Sequence, residues 1–168
     1  MKKLTLIISA CLLTAASFAQ SKYAEKFHDK YKDDRDATVV SLNGSIFELL
    51  GTIASFGEDE DSEAFARIAK GIKSMRVLSL PIDKIGIAVN EIDELRKNIL
   101  GEGYDELMTM REGQERVYFL AKTSDKEINN MLILVNDGND EFVLMNLDGV
   151  LNMQDLAYLA KHRKDWGE

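Results

Sequence analysis

Between Arg116 and Leu147 the chain carries three apolar runs separated by short polar linkers, a pattern that commits this region to a sheet. The runs are Arg116–Lys122, Glu127–Val135 and Glu141–Leu147, joined by Thr123-Ser124-Asp125-Lys126 and Asn136-Asp137-Gly138-Asn139-Asp140. Asp-Gly in the second linker supplies the positive φ that tight turns require, so an antiparallel meander is expected. Met131-Leu132-Ile133-Leu134-Val135 and Phe142-Val143-Leu144-Met145 are apolar at every position rather than at alternate ones. Such runs predict a sheet covered on both faces.

The preceding segments read as packing for this meander. Tyr23, Phe27 and Tyr31 recur at i, i+4 and i+8 and predict an amphipathic helix over Tyr23–Tyr31, with His28 beside the stripe. A charged linker, Asp33–Asp36, leads to a strand at Ala37–Leu42 and a turn at Asn43-Gly44. Ser45-Ile46-Phe47-Glu48 matches a capping box, and Ile46, Leu49, Leu50 and Ile53 behind it have core spacing. The acidic run Glu58-Asp59-Glu60-Asp61-Ser62-Glu63 lacks the central glycine of a calcium-binding loop, so it reads as the electrostatically favoured start of a helix with Phe65, Ile68, Ala69 and Ile72 inward. Met75–Pro81 is expected as a strand, and Asp83–Leu100 as one helix with Ile85, Ala88, Ile92, Leu95 and Ile99 inward, ended by Gly101. Met108–Arg111 is expected to pair through Glu112-Gly113 with the first meander strand. After a turn at Asp148-Gly149, Asn152 and Asp155 cap a last helix with Met153, Leu156, Ala157 and Ala160 inward.

Together these predict an α+β fold: a mostly antiparallel sheet with a C-terminal β-meander, helices packed on the sheet and a closing C-terminal helix. The organisation expected is a signal peptide at 1–19, an N-terminal helix and linker at 20–35, a single α+β domain at 36–164 and a tail at 165–168. Lys2 and Lys3 followed by the largely apolar Leu4–Phe18 read as a secretory signal, and Ser17-Phe18-Ala19 places the peptidase cut between Ala19 and Gln20. Ile8-Ser9-Ala10-Cys11 has the look of a lipoprotein box, but the apolar run continues through Leu12 and Leu13, so a lipid anchor on Cys11 is not the reading adopted. Cleavage after Ala19 leaves no stable membrane span, and the expected location is the periplasm or cell envelope. Cys11 is the only cysteine, so the mature chain would rely on its core rather than on disulfides. A formal charge of −8 without a basic stripe disfavours nucleic acid as a partner.

Four stretches carry a family resemblance. They are Ala37–Leu42 feeding a helix, Ile72-Lys73-Ser74-Met75-Arg76-Val77-Leu78 entering the second strand, and Gly103-Tyr104-Asp105-Glu106-Leu107-Met108 before the meander, with Leu147-Asp148-Gly149-Val150-Leu151 closing it. In this order the chain resembles the domain of unknown function 4252 family over nearly its whole mature length. The resemblance implies an exported protein of a Bacteroidetes-type bacterium, in a family with many lipoproteins and with genes often near those of sigma and anti-sigma factors. It implies no catalytic residues.

Chemistry is sparsely represented. The mature chain has no cysteine nucleophile, no Gly-x-Ser-x-Gly elbow and no phosphate-binding glycine loop, and its two histidines, His28 and His162, lie near opposite ends. No catalytic, cofactor or metal residue is assigned and no cofactor is expected. The expected role is a non-enzymatic interaction or signalling-accessory module with an envelope protein partner, meeting it through a sheet face at Leu132 and Leu134 or through Trp166. The alternative is a hydrolase or ligand-binding protein acting on an envelope polymer through acidic residues. The sequence assigns no oligomeric state.

Overall fold

The computed structural model describes residues 20–138 and 140–162. Its strands are β1 (Thr38–Asn43), β2 (Ile72–Pro81), β3 (Asp105–Glu112), β4 (Glu115–Ser124), β5 (Glu127–Asn136) and β6 (Glu141–Asn152). They form one antiparallel sheet in the order β1-β2-β6-β5-β4-β3. The meander is therefore present as expected, extended on one side by the hairpin through Glu112-Gly113 and on the other by β2 and β1. Helices α1 (Lys22–Tyr31), α2 (Gly44–Ala54), α3 (Glu60–Gly71), α4 (Ile82–Ile85), α5 (Val89–Gly101) and α6 (Met153–His162) complete the α+β fold.

One face of the sheet carries the main core. Leu78 and Leu80 of β2, Phe142 and Leu144 of β6, Leu132 and Leu134 of β5, and Tyr118 and Leu120 of β4 pack against α1 and α5. From α1 come Ala24, Phe27 and Tyr31, while Tyr23 of the predicted stripe is exposed. From α5 come Ile92, Leu95 and Ile99. Ser21 caps α1, its Oγ accepting from the Ala24 amide at 3.1 Å.

Within this core lies a polar cluster. Tyr104 Oη donates to Asn130 Oδ1 at 2.6 Å, and Asn130 Nδ2 donates to Asn146 Oδ1 at 3.3 Å. Burial raises the pKa of the Tyr104 hydroxyl, which keeps it a donor. Tyr104→Phe leaves the buried Asn130 carbonyl without that donor and is expected to cost about 1–3 kcal/mol. Chemical denaturation would read this directly, and an unchanged midpoint would show that the hydroxyl is dispensable.

Several local expectations are corrected by the tertiary structure. The helix expected over Asp83–Leu100 is interrupted at Gly86, whose φ of 71° is left-handed and ends α4. The break moves the inward role from Ala88, which is exposed, to the buried Ile87. The capping box at Ser45 does not form, because α2 starts at Gly44 and its N-cap Asn43 makes no side-chain cap bond. The acidic run does start a helix: the Asp59 carboxylate accepts from the Ser62 amide at 2.7 Å. Ile72 belongs to β2, not to the preceding helix. Asp148-Gly149 is not a turn, since β6 runs through it to Asn152 with shifts of register against β2 and β5. Asn152 does cap α6, accepting from the Gln154 amide at 2.7 Å, while Ala157 is exposed and Met153 and Leu156 pack inward.

Candidate interaction surface

The second face of the sheet is built by the alternate residues of the same strands. Register places Val77 beside Met145, Met145 beside Ile133, Ile133 beside Phe119, and Phe119 beside Met108. One step further along, Val143, Val135, Val117 and Met110 form a second apolar row. On this face the apolar cluster covered by helices contains Ala121, Ile128, Leu147 and Leu151, packed against Ile68 of α3 and Met153 and Leu156 of α6. The two rows from Val77 to Met108 and from Val143 to Met110 stand outside that cluster and outside the main core. Their members on β2, β4, β5 and β6 are half-buried, while Met108 and Met110 on the edge strand β3 are exposed, Met110 at 51%.

Among the described residues the expectation that both faces are covered is not met: α1 and α5 cover one face, whereas on the other α3 and α6 pack only at the end around Leu147 and Leu151, and α2 lies beside β2. Leu132 and Leu134, named as the contact residues, are both fully buried on the covered face. Ile133 and Val135, one residue along, occupy the open one. Trp166 lies outside the described residues.

An apolar helix face lies exposed as well. Ile46, Leu49, Leu50 and Ile53 have core spacing, yet all are exposed, with Ile53 at 57%. Helix α2 instead buries Phe47 and Gly51, and a Cβ on Gly51 would lie 2.8 Å from the Lys70 side chain of α3. Periodicity thus located an apolar stripe correctly but not its surroundings. Phe56, just beyond the helix, is 81% exposed.

Charge is segregated around the open sheet face. The two apolar rows contain no ionisable residue. At the end where β3 turns into β4, Glu112 and Glu115 are directly paired, and alternation puts them on the open side with Met110 and Val117. Arg111 and Arg116 pair on the opposite side. Glu141 stands on the open side of β6, where its carboxylate accepts a hydrogen bond from Ser79 Oγ. The exposed β3 edge is anchored from the covered side: Thr109 Oγ1 donates to Glu106 at 2.5 Å and Arg96 Nε at 2.9 Å. The Thr109 hydroxyl and the Arg96 guanidinium hold the Glu106 carboxyl below its ordinary pKa. The support it gives is complete above the ordinary glutamate pKa and is lost as pH falls through the lowered value.

The other polar clusters do not converge on a reactive centre. Arg67 binds Asp155 at 2.7 Å, and Tyr158 donates to Glu60 at 3.0 Å, so these carboxylates are occupied in joining α3 to α6. The shallow groove between α1 and α5 is bridged by Lys30 and Glu91 at 2.6 Å. His28 sits between Ala24, Arg76, Leu144 and Asn146, with neither ring nitrogen hydrogen-bonded. Among the described residues no group of three or more His, Cys, Asp or Glu side chains is arranged to hold a metal ion. No helix among them is long and apolar enough to cross a membrane.

Comparison with known proteins gives one positive finding. The family described as Domain of unknown function (DUF4252) matches residues 31–159, which takes in all six strands and α2 to α5. No curated protein and no solved structure matches the chain.

Proposed function

Because the chain belongs to the DUF4252 family, whose description assigns no activity, we propose from its surface chemistry that it is a protein-interaction module of the cell envelope. The observation carrying this reading is the open sheet face: contiguous apolar rows with no charge, on a chain that is 30% charged overall. Contiguous apolar area of this kind is characteristic of surfaces that another protein covers. Export by the Met1–Ala19 segment and a signalling-accessory role beside sigma and anti-sigma factors form part of the same proposal. They rest on the leader-like sequence and on the family resemblance respectively. The polymer-hydrolase alternative gains no support from the acidic clusters, whose members at Asp155 and Glu60 are tied to Arg67 and Tyr158.

Adjacent substitutions separate fold from function here. Leu132→Asp buries a charge in the main core and is expected to prevent folding. Ile133→Asp places its charge on the open face and is expected to leave the circular-dichroism spectrum and cooperative melting intact. Cross-linking the native protein in its own envelope should then capture one stoichiometric partner that Ile133→Asp loses. Recovery of the protein alone, or equal capture by the folded variant, would overturn the interaction reading. Mass measurement of the envelope form, expected to begin at Gln20, checks export separately.

A further inference from the structure

The interaction reading leaves the partner's chemistry open, and the open face restricts it. Resting on that reading, we propose that the face seats an amphipathic α-helix of a partner protein, apolar along one side and carrying lysine or arginine at the end that meets Glu112, Glu115 and Glu141.

The floor dictates the apolar side. Val77, Met145, Ile133 and Phe119 offer neither charge nor hydrogen-bonding side chain, and backbone groups in central strands are already paired in the sheet. An element laid on them gains by apolar burial and loses by bringing charge. Dimensions favour a helix. Each row advances about 7 Å along a strand, so the two apolar rows with the acidic rim beyond them span roughly 20 Å, the length of about 13 helical residues. The opposite face is covered in this way, by α1 and α5, whose apolar stripes lie on the same four central strands. On the open side, among the described residues, α3 and α6 pack only at the end around Leu147 and Leu151.

The rim dictates the charge. Glu112 and Glu115 stand directly opposite one another at the hairpin tip, a repulsive arrangement, and neither side chain has a hydrogen bond or ion pair among the described residues. The cations that could have neutralised them, Arg111 and Arg116, are on the other side of the same hairpin. A cation arriving with the partner relieves this repulsion, whereas an anionic end increases it. A second copy of the chain fits less well: α2, its exposed apolar helix, contains Glu48 and no lysine or arginine.

The test uses the full-length protein and two labelled synthetic helices of about 12 residues with leucine at i, i+3, i+4 and i+7. One ends in lysines and the other in glutamates, and binding is followed by fluorescence anisotropy at low and high salt. The lysine-ended helix should bind at least tenfold more tightly than the glutamate-ended one, with the difference shrinking at high salt. Ile133→Asp should abolish binding, and the Glu112→Gln, Glu115→Gln double variant should erase the preference between the two helices while melting like the parent. Equal binding of both helices, or a preference unchanged in the double variant, would overturn the charge assignment and leave the interaction face standing. No binding of either helix would overturn the helical occupant, while partner capture in the envelope would still decide the broader reading. Sedimentation showing a dimer of the protein alone, dissociated by Ile133→Asp, would give the face to a second copy and overturn the proposal.

Discussion

Truncating Phe142 to alanine is expected to cost the domain about 3–5 kcal/mol, a large part of the stability that a single domain possesses. Phe142 is fully buried in β6, paired with Leu80 of β2 on one side and Asn136 of β5 on the other. Its ring meets Phe27 of α1 edge-on, with centroids 5.5 Å apart, and Phe27 in turn lies 4.9 Å from Tyr31. Removing the ring takes away the aromatic contact between α1 and β6, one of those that join α1 to the sheet. Ladders on both sides hold the β6 backbone in place, so the cavity cannot close by a strand shift. Val143→Ala, one residue along and half-buried on the open face, removes a smaller group from a less enclosed site and is expected to cost under about 1 kcal/mol. Urea titration of both variants tests the assignment of faces. Similar losses at 142 and 143 would mean that the two sides of the sheet are equally enclosed.

Gly71→Ala is a test of sign. Helix propensity alone favours alanine over glycine by about 1 kcal/mol, and Gly71 is the last residue of α3. A Cβ there would lie 2.2 Å from the Val150 carbonyl oxygen of β6, a distance no real contact tolerates. That oxygen belongs to the backbone and cannot swing aside like a flexible side chain. Either α3 or β6 has to move, and Gly149 narrows the choice because its own Cβ would meet the Gly71 oxygen at 2.3 Å. The expected result is a net loss of about 1–3 kcal/mol despite the better helix former. Gly101→Ala supplies the control, since α5 also ends in glycine but a Cβ at Gly101 meets nothing within 4 Å. That variant should be neutral or slightly stabilised. Stabilisation at both positions would refute the close approach of α3 to β6.

The same two glycines illustrate what was legible in the chain and what was not. Gly101 was readable as a helix end, because helix termination is a local event. Gly71 gave no local signal, because its role depends on Val150, a residue distant in sequence. The hairpin through Glu112-Gly113 and the strands of the meander were likewise local, written in turn chemistry and apolar runs. Gly86 was missed because one glycine inside a helical pattern is tolerated in many helices, and the break here is seen only with its left-handed φ. The stripe Ile46, Leu49, Leu50 and Ile53 was legible as a stripe, but spacing carries no record of whether another element lies across it.

Period-two alternation determined which residues share a side of the sheet: Leu132 with Leu134, and Ile133 with Val135. Family, sheet content and strand succession were likewise contained in the sequence. Which side is core and which is surface was decided only by the tertiary structure. Both sets are apolar and β-compatible, so neither has a local preference for burial. The choice follows from where α1 and α5 dock, and their long-range contacts with Phe142, Leu144 and Leu134 leave Ile133 and Met145 facing outward.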